Sequence, residues 1–130
     1  MACVHNQAKI DQLIAQIRQK QAEINSLKNN ITKCNEIKTK HINFNTKLDC
    51  VIANLEGNHV VAGQAYDKGM MSECLDNSNK TIKDCDDIVL ASNSKISSLE
   101  REILSLESMI ASLQGDCEAC IVIDDDLKTK

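Results

Sequence analysis

Apolar residues in the first part of the chain fall at Ile10, Leu13, Ile17, Ile24, Leu27, Ile31 and Cys34, in alternating steps of three and four with only Lys20 polar in the series. Such spacing draws one stripe along one face of a helix. Beyond Cys34 the series continues as Ile37, His41, Phe44, Leu48, Val51 and Leu55, so two successive steps of three, 31 to 34 to 37, predict a stammer that overwinds the supercoil locally. One helix over about residues 6 to 55 is expected.

The next stretch, Gly57 to Gly69, holds three of the four glycines. Each glycine in a helix interior costs about 1 kcal/mol relative to alanine, so the chain is expected to bend over about residues 56 to 69. From Met71 a second series runs through Leu75, Ser78, Ile82, Cys85, Val89, Ser92, Ile96, Leu99, Ile103, Leu106, Ile110 and Leu113 to Cys117 and Cys120, with no break of phase. It predicts a second helix over about residues 70 to 120, with Gly115 as an early stop and residues 121 to 130 as a polar tail.

Composition narrows the class. Aromatic residues make up 2% of the chain and proline is absent, which disfavours a β-sandwich and favours an all-α fold. The formal charge of −4 supplies no positive field for a phosphate backbone, so nucleic acid is not an expected partner. No apolar run is long enough to span a bilayer, and the first residues lack the basic and apolar regions of a secretory signal, so no membrane insertion and a cytoplasmic location are expected.

Charge also divides with the helices: residues 1 to 56 carry eight Lys/Arg against five Asp/Glu, and residues 57 to 130 carry seven against fourteen. A basic and an acidic helix of similar length joined by a glycine-bearing bend suit an elongated antiparallel two-helix hairpin, coiled-coil-like, forming one domain over 1 to 130. Its arms would be about 70 Å long. Matched seams put Ile17, Ile24 and Leu27 near Leu106, Leu99 and Ile96. Two helices cover little of such a seam, and apolar neighbours widen it at Leu13 with Ile14 and at Met71 with Met70. Ile14, Met70 and Met71 are therefore the expected partner-binding positions, where a third helix would dock.

The chemistry-bearing residues point to no reaction. Cys117-Glu118-Ala119-Cys120 is a CxxC that a hairpin returns close to Cys3 and His5, and three thiolates with an imidazole match a tetrahedral zinc set. Against this, residues 117 and 120 are also adjacent seam positions, and no second CxxC or HxxxH occurs. No metal and no cofactor are expected. An odd count of seven cysteines favours free thiols, with Cys50 and Cys74 mirroring each other about residue 62 as the pair an oxidising compartment would join, and Cys34 and Cys85 as packing. His41 sits in the seam and His59 in the bend without a partner at catalytic spacing. Asp124 to Asp126 lack the glycine and glutamate of a calcium loop. A thin hairpin offers no cavity to desolvate a substrate, so the chain is not expected to be an enzyme.

Two long helices around a short glycine-marked bend resemble the small helical proteins of bacterial type VII secretion, in which a WxG turn joins antiparallel helices. The bend Leu55 to Gly69 is similar to the turn of the longer members encoded beside LXG-domain toxins: Gly57, Gly63, Ala65 and Tyr66 match, and Val61 stands where the family has tryptophan. The resemblance spans nearly the whole chain in architecture and about 13 residues in motif. It implies a targeting factor or chaperone that binds the helical N-terminal domain of an LXG toxin, together with a second small helical protein in some systems, and that is itself a candidate for export with the toxin. The family's export signal, an aromatic followed four positions later by an acidic residue, is not completed, since Met70 follows Tyr66 at that distance. The resemblance therefore implies either that the signal lies on a partner or that the protein is a chaperone for another helical client. Two other classes stand beside this one: a self-associating coiled-coil scaffold or tether using the same stripe, and a metal or thiol sensor at the hairpin ends.

Overall fold

In the computed structural model the chain is all-α: helix α1 spans Ala2–Gly57 and helix α2 spans Ala62–Asp116. The backbone is described for residues 2–57 and 62–122, and side chains for residues 3–55 and 68–122. Among these residues no strand occurs, and the helices pack against each other as an antiparallel hairpin.

Both helices outrun the bounds read from sequence at their N-terminal ends. α1 starts at Ala2, and α2 starts at Ala62, so Gly63 and Gly69 lie in helix rather than in a bend reaching residue 69. Gly69 is exposed, and a Cβ added there would meet nothing within 4 Å. Its cost is one of propensity alone, which the remainder of a long helix absorbs. α2 ends at Asp116, one residue past Gly115, and a turn follows in which Cys120 N–H donates to Cys117 O at 3.1 Å.

The chain forms two compact units, Met1–Lys28 with Asn93–Lys130, and Asn29–Ser92. The first has an aliphatic seam. Ile10, Ile17 and Ile103 are fully buried, and Ile14, Ile24, Ile96, Leu99, Leu106 and Ile110 are buried with them. At about 1.5 to 3 kcal/mol for each fully buried aliphatic side chain, this seam is the main source of the unit's stability. Lys20 Nζ lies 3.1 Å from Glu102 Oε2 across the pair, which puts Ile17 and Ile24 opposite the stretch of α2 that holds Leu106 and Leu99.

The second unit departs from the sequence reading. Its inward positions on α1 are Ile31, Cys34, Lys38, His41, Asn45, Leu48, Ile52 and Leu55, which continue the steps of three and four without interruption. No stammer interrupts α1 there. Ile37, Phe44 and Val51, assigned to the seam by their hydrophobicity, are 43%, 47% and 41% exposed. The reason is phase: α2 carries an unbroken heptad pattern, and a partner that slipped by one position midway would have to overwind against it. Continuity of packing outweighs the preference of three side chains for the interior.

Candidate functional site

Polar residues in a coiled-coil seam need partners, since an unpaired buried donor or acceptor costs about 1 to 3 kcal/mol. In the second unit α2 supplies them. Lys38 Nζ lies 2.7 Å from Asp86 Oδ1, its stem running along the seam while its charge stays at the edge. His41 Nδ1 and Ser78 Oγ share a hydrogen bond of 2.8 Å, and Asn45 Nδ2 donates to Asn79 Oδ1 at 2.8 Å. Asn45 and Ser78 are buried, and Asn45 Oδ1 has no hydrogen-bond partner. Three polar pairs thus interrupt the otherwise apolar seam of this unit.

Its outside is correspondingly apolar. Ile37, Phe44 and Val51 each immediately precede an inward residue of α1, so they repeat every seven positions along one flank. On α2 the matching line, immediately before the inward residues Leu75, Ile82 and Val89, is Cys74, Thr81 and Ile88. In an antiparallel pair these two lines share one edge, as the first unit demonstrates: there an open groove of about 440 Å³ is lined by Lys9, Leu13 and Gln16 of α1 and by Met109 and Leu113 of α2. By the same rule Ile88, itself 49% exposed, lies on the line that faces Ile37, with Thr81 and Cys74 further along the line beside Phe44 and Val51. The next line outward on α1 is Lys33, Lys40 and Lys47, all exposed. On α2 it is Met70, Asn77 and Asp84. The result is a shallow apolar strip with a basic rim on one side and a largely neutral rim on the other.

The expected partner-binding residues divide. Met70 is 50% exposed and sits on the neutral rim, and Met71 is half-buried in the seam. Ile14 is a correction: it is 5% exposed, turned between the helices of the first unit, because the seam there is wide enough to take it as well as Ile10 and Ile17. Its neighbour Leu13 lines the groove instead. Ile88 and the lysine line were not singled out by the sequence reading, although the unbroken phase of α2 and the seven-residue recurrence of lysine were the signals that could have found them. Of the turn positions, Val61 lies outside the described residues, and Gly57, Gly63, Ala65 and Tyr66 fall where only helical backbone is described.

The cysteines are mainly free thiols, as expected, with one bridge that the sequence did not indicate. Cys3 and Cys117 form a disulfide with Cα atoms 5.5 Å apart, while Cys34, Cys50, Cys74, Cys85 and Cys120 are free thiols. The ends of α1 and α2 meet there because the seam runs to the last turn of each helix. Asn6 Nδ2 donates to Leu113 O at 3.3 Å, and Gln7 clamps the backbone of Ile121, accepting from its N–H at 2.8 Å and donating to its carbonyl at 3.0 Å. Cys120 is buried beside them, its thiol 3.6 Å from Cys3 O. Cys3, Cys117 and Cys120 are therefore brought together, but a disulfide removes two thiolates from any ligand set; His5 is exposed. Among the described residues no three His, Cys, Asp or Glu side chains stand as a metal-ligand group. Cys50 and Cys74 remain exposed thiols.

Burial pushes the Cys85 thiol above its ordinary pKa, and contact with Cys34 and the nearby carboxylates of Asp86 and Asp84 act in the same direction. This thiol is held in its protonated, poorly nucleophilic form. Among the described residues no helix is long and apolar enough to cross a membrane.

Known proteins offer no closer guide. The chain matches no family model, no curated protein and no solved structure. The reading of function therefore rests on the strip and on the turn resemblance.

Proposed function

We propose that this protein is a non-enzymatic helical adaptor that holds a helix of another protein along the strip formed by Ile37, Phe44, Val51 and Ile88, and that the other protein is an LXG toxin handled through its helical N-terminal domain for type VII secretion. One observation carries the docking reading: three large apolar side chains recur every seven residues on an exposed flank while the adjacent inward positions hold a buried Asn45 and half-buried Lys38 and His41. Placing apolar groups outside and polar groups inside lowers the stability of the hairpin itself. It becomes favourable when a third helix covers the strip, since each newly buried aliphatic or aromatic group contributes about 1 kcal/mol or more. The identity of the toxin comes from the turn residues Gly57, Gly63, Ala65 and Tyr66, not from the strip.

Coexpression with the N-terminal helical domain of an LXG toxin tests the reading. A complex that co-migrates on size exclusion and dissociates on Phe44→Glu supports it. A chain that forms a tight homo-oligomer through the same strip and ignores the toxin domain overturns it in favour of a self-associating scaffold.

A further inference from the structure

The rims of the strip differ, and the difference bears on what fills it. Lys33, Lys40 and Lys47 repeat every seven residues immediately outside Ile37, Phe44 and Val51 on α1. They belong to the basic helix of a chain whose net charge is −4. The opposite rim offers Met70, Asn77 and Asp84, two uncharged residues and one acid. Glu36, the nearest acid on α1, lies one further line outward, with Thr32, Asn35 and Thr39 on the outer surface beside Lys40.

We infer that the occupant of the strip is an acidic amphipathic helix, with apolar anchors every seven residues and Glu or Asp along the flank that meets Lys33, Lys40 and Lys47. This inference rests on the docking reading above and specifies the partner's chemistry. The lysine spacing equals the spacing of the apolar row, so a partner whose anchors stay in phase with Ile37, Phe44 and Val51 brings its flanking carboxylates past the three lysines in the same phase. Long lysine side chains on the rim also cover the apolar edge of the bound helix with their methylene stems. A lipid surface is a poorer match. The strip has basic residues along one rim only and Asp84 on the other, whereas an interfacial helix presents a broad apolar face between basic flanks.

The test uses the full chain and three probes. They are a four-heptad helical peptide with Leu and Ile anchors and Glu on both flanks, the same peptide with Lys in place of Glu, and phosphatidylserine vesicles. We expect the acidic peptide to bind at least tenfold more tightly than the basic one, and to weaken at least tenfold as salt rises from 50 to 500 mM. The combined variant Lys33→Glu, Lys40→Glu and Lys47→Glu, whose helicity circular dichroism verifies, reverses the preference between the peptides. Lys→Gln at the same three positions abolishes it while leaving an apolar residual. Equal binding of the two peptides overturns the inference, as does preference for the vesicles. If the toxin domain binds the triple Glu variant as it binds the parent but is lost on Phe44→Glu, the charge assignment falls while the docking reading survives.

Discussion

Asn45 donates a hydrogen bond of 2.8 Å to Asn79, and its own carbonyl oxygen is buried without a partner. A single asparagine in a coiled-coil seam fixes register at a cost in stability, because shifting the helices would strand it in an apolar layer. Asn45→Ile is expected to raise stability by about 1 kcal/mol, since it removes the unsatisfied oxygen and adds apolar burial. Urea denaturation checks this, and an unchanged or lower midpoint would mean that the Asn45 side chain is solvated.

Ile103 is 1% exposed within the aliphatic seam of the first unit. Ile103→Ala is expected to destabilise by about 2 to 4 kcal/mol through lost burial and the cavity left behind. Chemical denaturation that placed it within error of the parent would show that the seam is open to solvent.

The Cys3–Cys117 bridge closes a sequence separation of 114 residues, and in the chain-entropy model a loop of that size stabilises by about 5 kcal/mol. Cys3→Ser should lower the denaturation midpoint under non-reducing conditions, whereas Cys50→Ser, at an exposed free thiol, should not. Thiol titration of the unfolded, unreduced chain should count five free thiols. A count of seven would remove the bridge from the account.

The raised pKa of Cys85 gives a pH dependence of known sign. The folded state holds the thiol proton more tightly than the unfolded chain, so this contribution to stability is complete below the ordinary thiol pKa of about 8.5 and declines as pH rises through the raised folded value. Cys85→Ala should flatten that alkaline decline. Alkylation at pH 8 should reach the exposed Cys50 and Cys74 well before Cys85. Equal labelling rates would contradict the buried position.

The sequence showed the hairpin because periodicity alone determines it: the second seam, from Met71 to Cys120, is the one the structure uses. It misled at Ile37, Phe44 and Val51 because a residue-by-residue reading follows hydrophobicity, whereas the packed pair follows phase and accepts Lys38, His41 and Asn45 inside when Asp86, Ser78 and Asn79 stand opposite. Those partners lie 34 to 48 residues away and cannot be matched before the register is known. The expected bend was too long for a related reason. Gly63 and Gly69 lower helix propensity, but a low propensity does not stop a helix whose neighbours pack. Ile14 shows the converse, since an apolar neighbour of a seam residue widened the interior in the first unit and did not add surface.

Docking of a partner helix on the strip of the second unit is tested most directly by calorimetric titration of an LXG toxin's N-terminal helical domain into the parent chain, Phe44→Glu and Asn43→Glu. Phe44 lies in the strip and the exposed Asn43 lies outside it. The account predicts that Phe44→Glu weakens binding by at least 100-fold, about 2.7 kcal/mol, while Asn43→Glu stays within about twofold of the parent. Equal affinity of the two variants, or a parent chain that does not bind the domain, would contradict it.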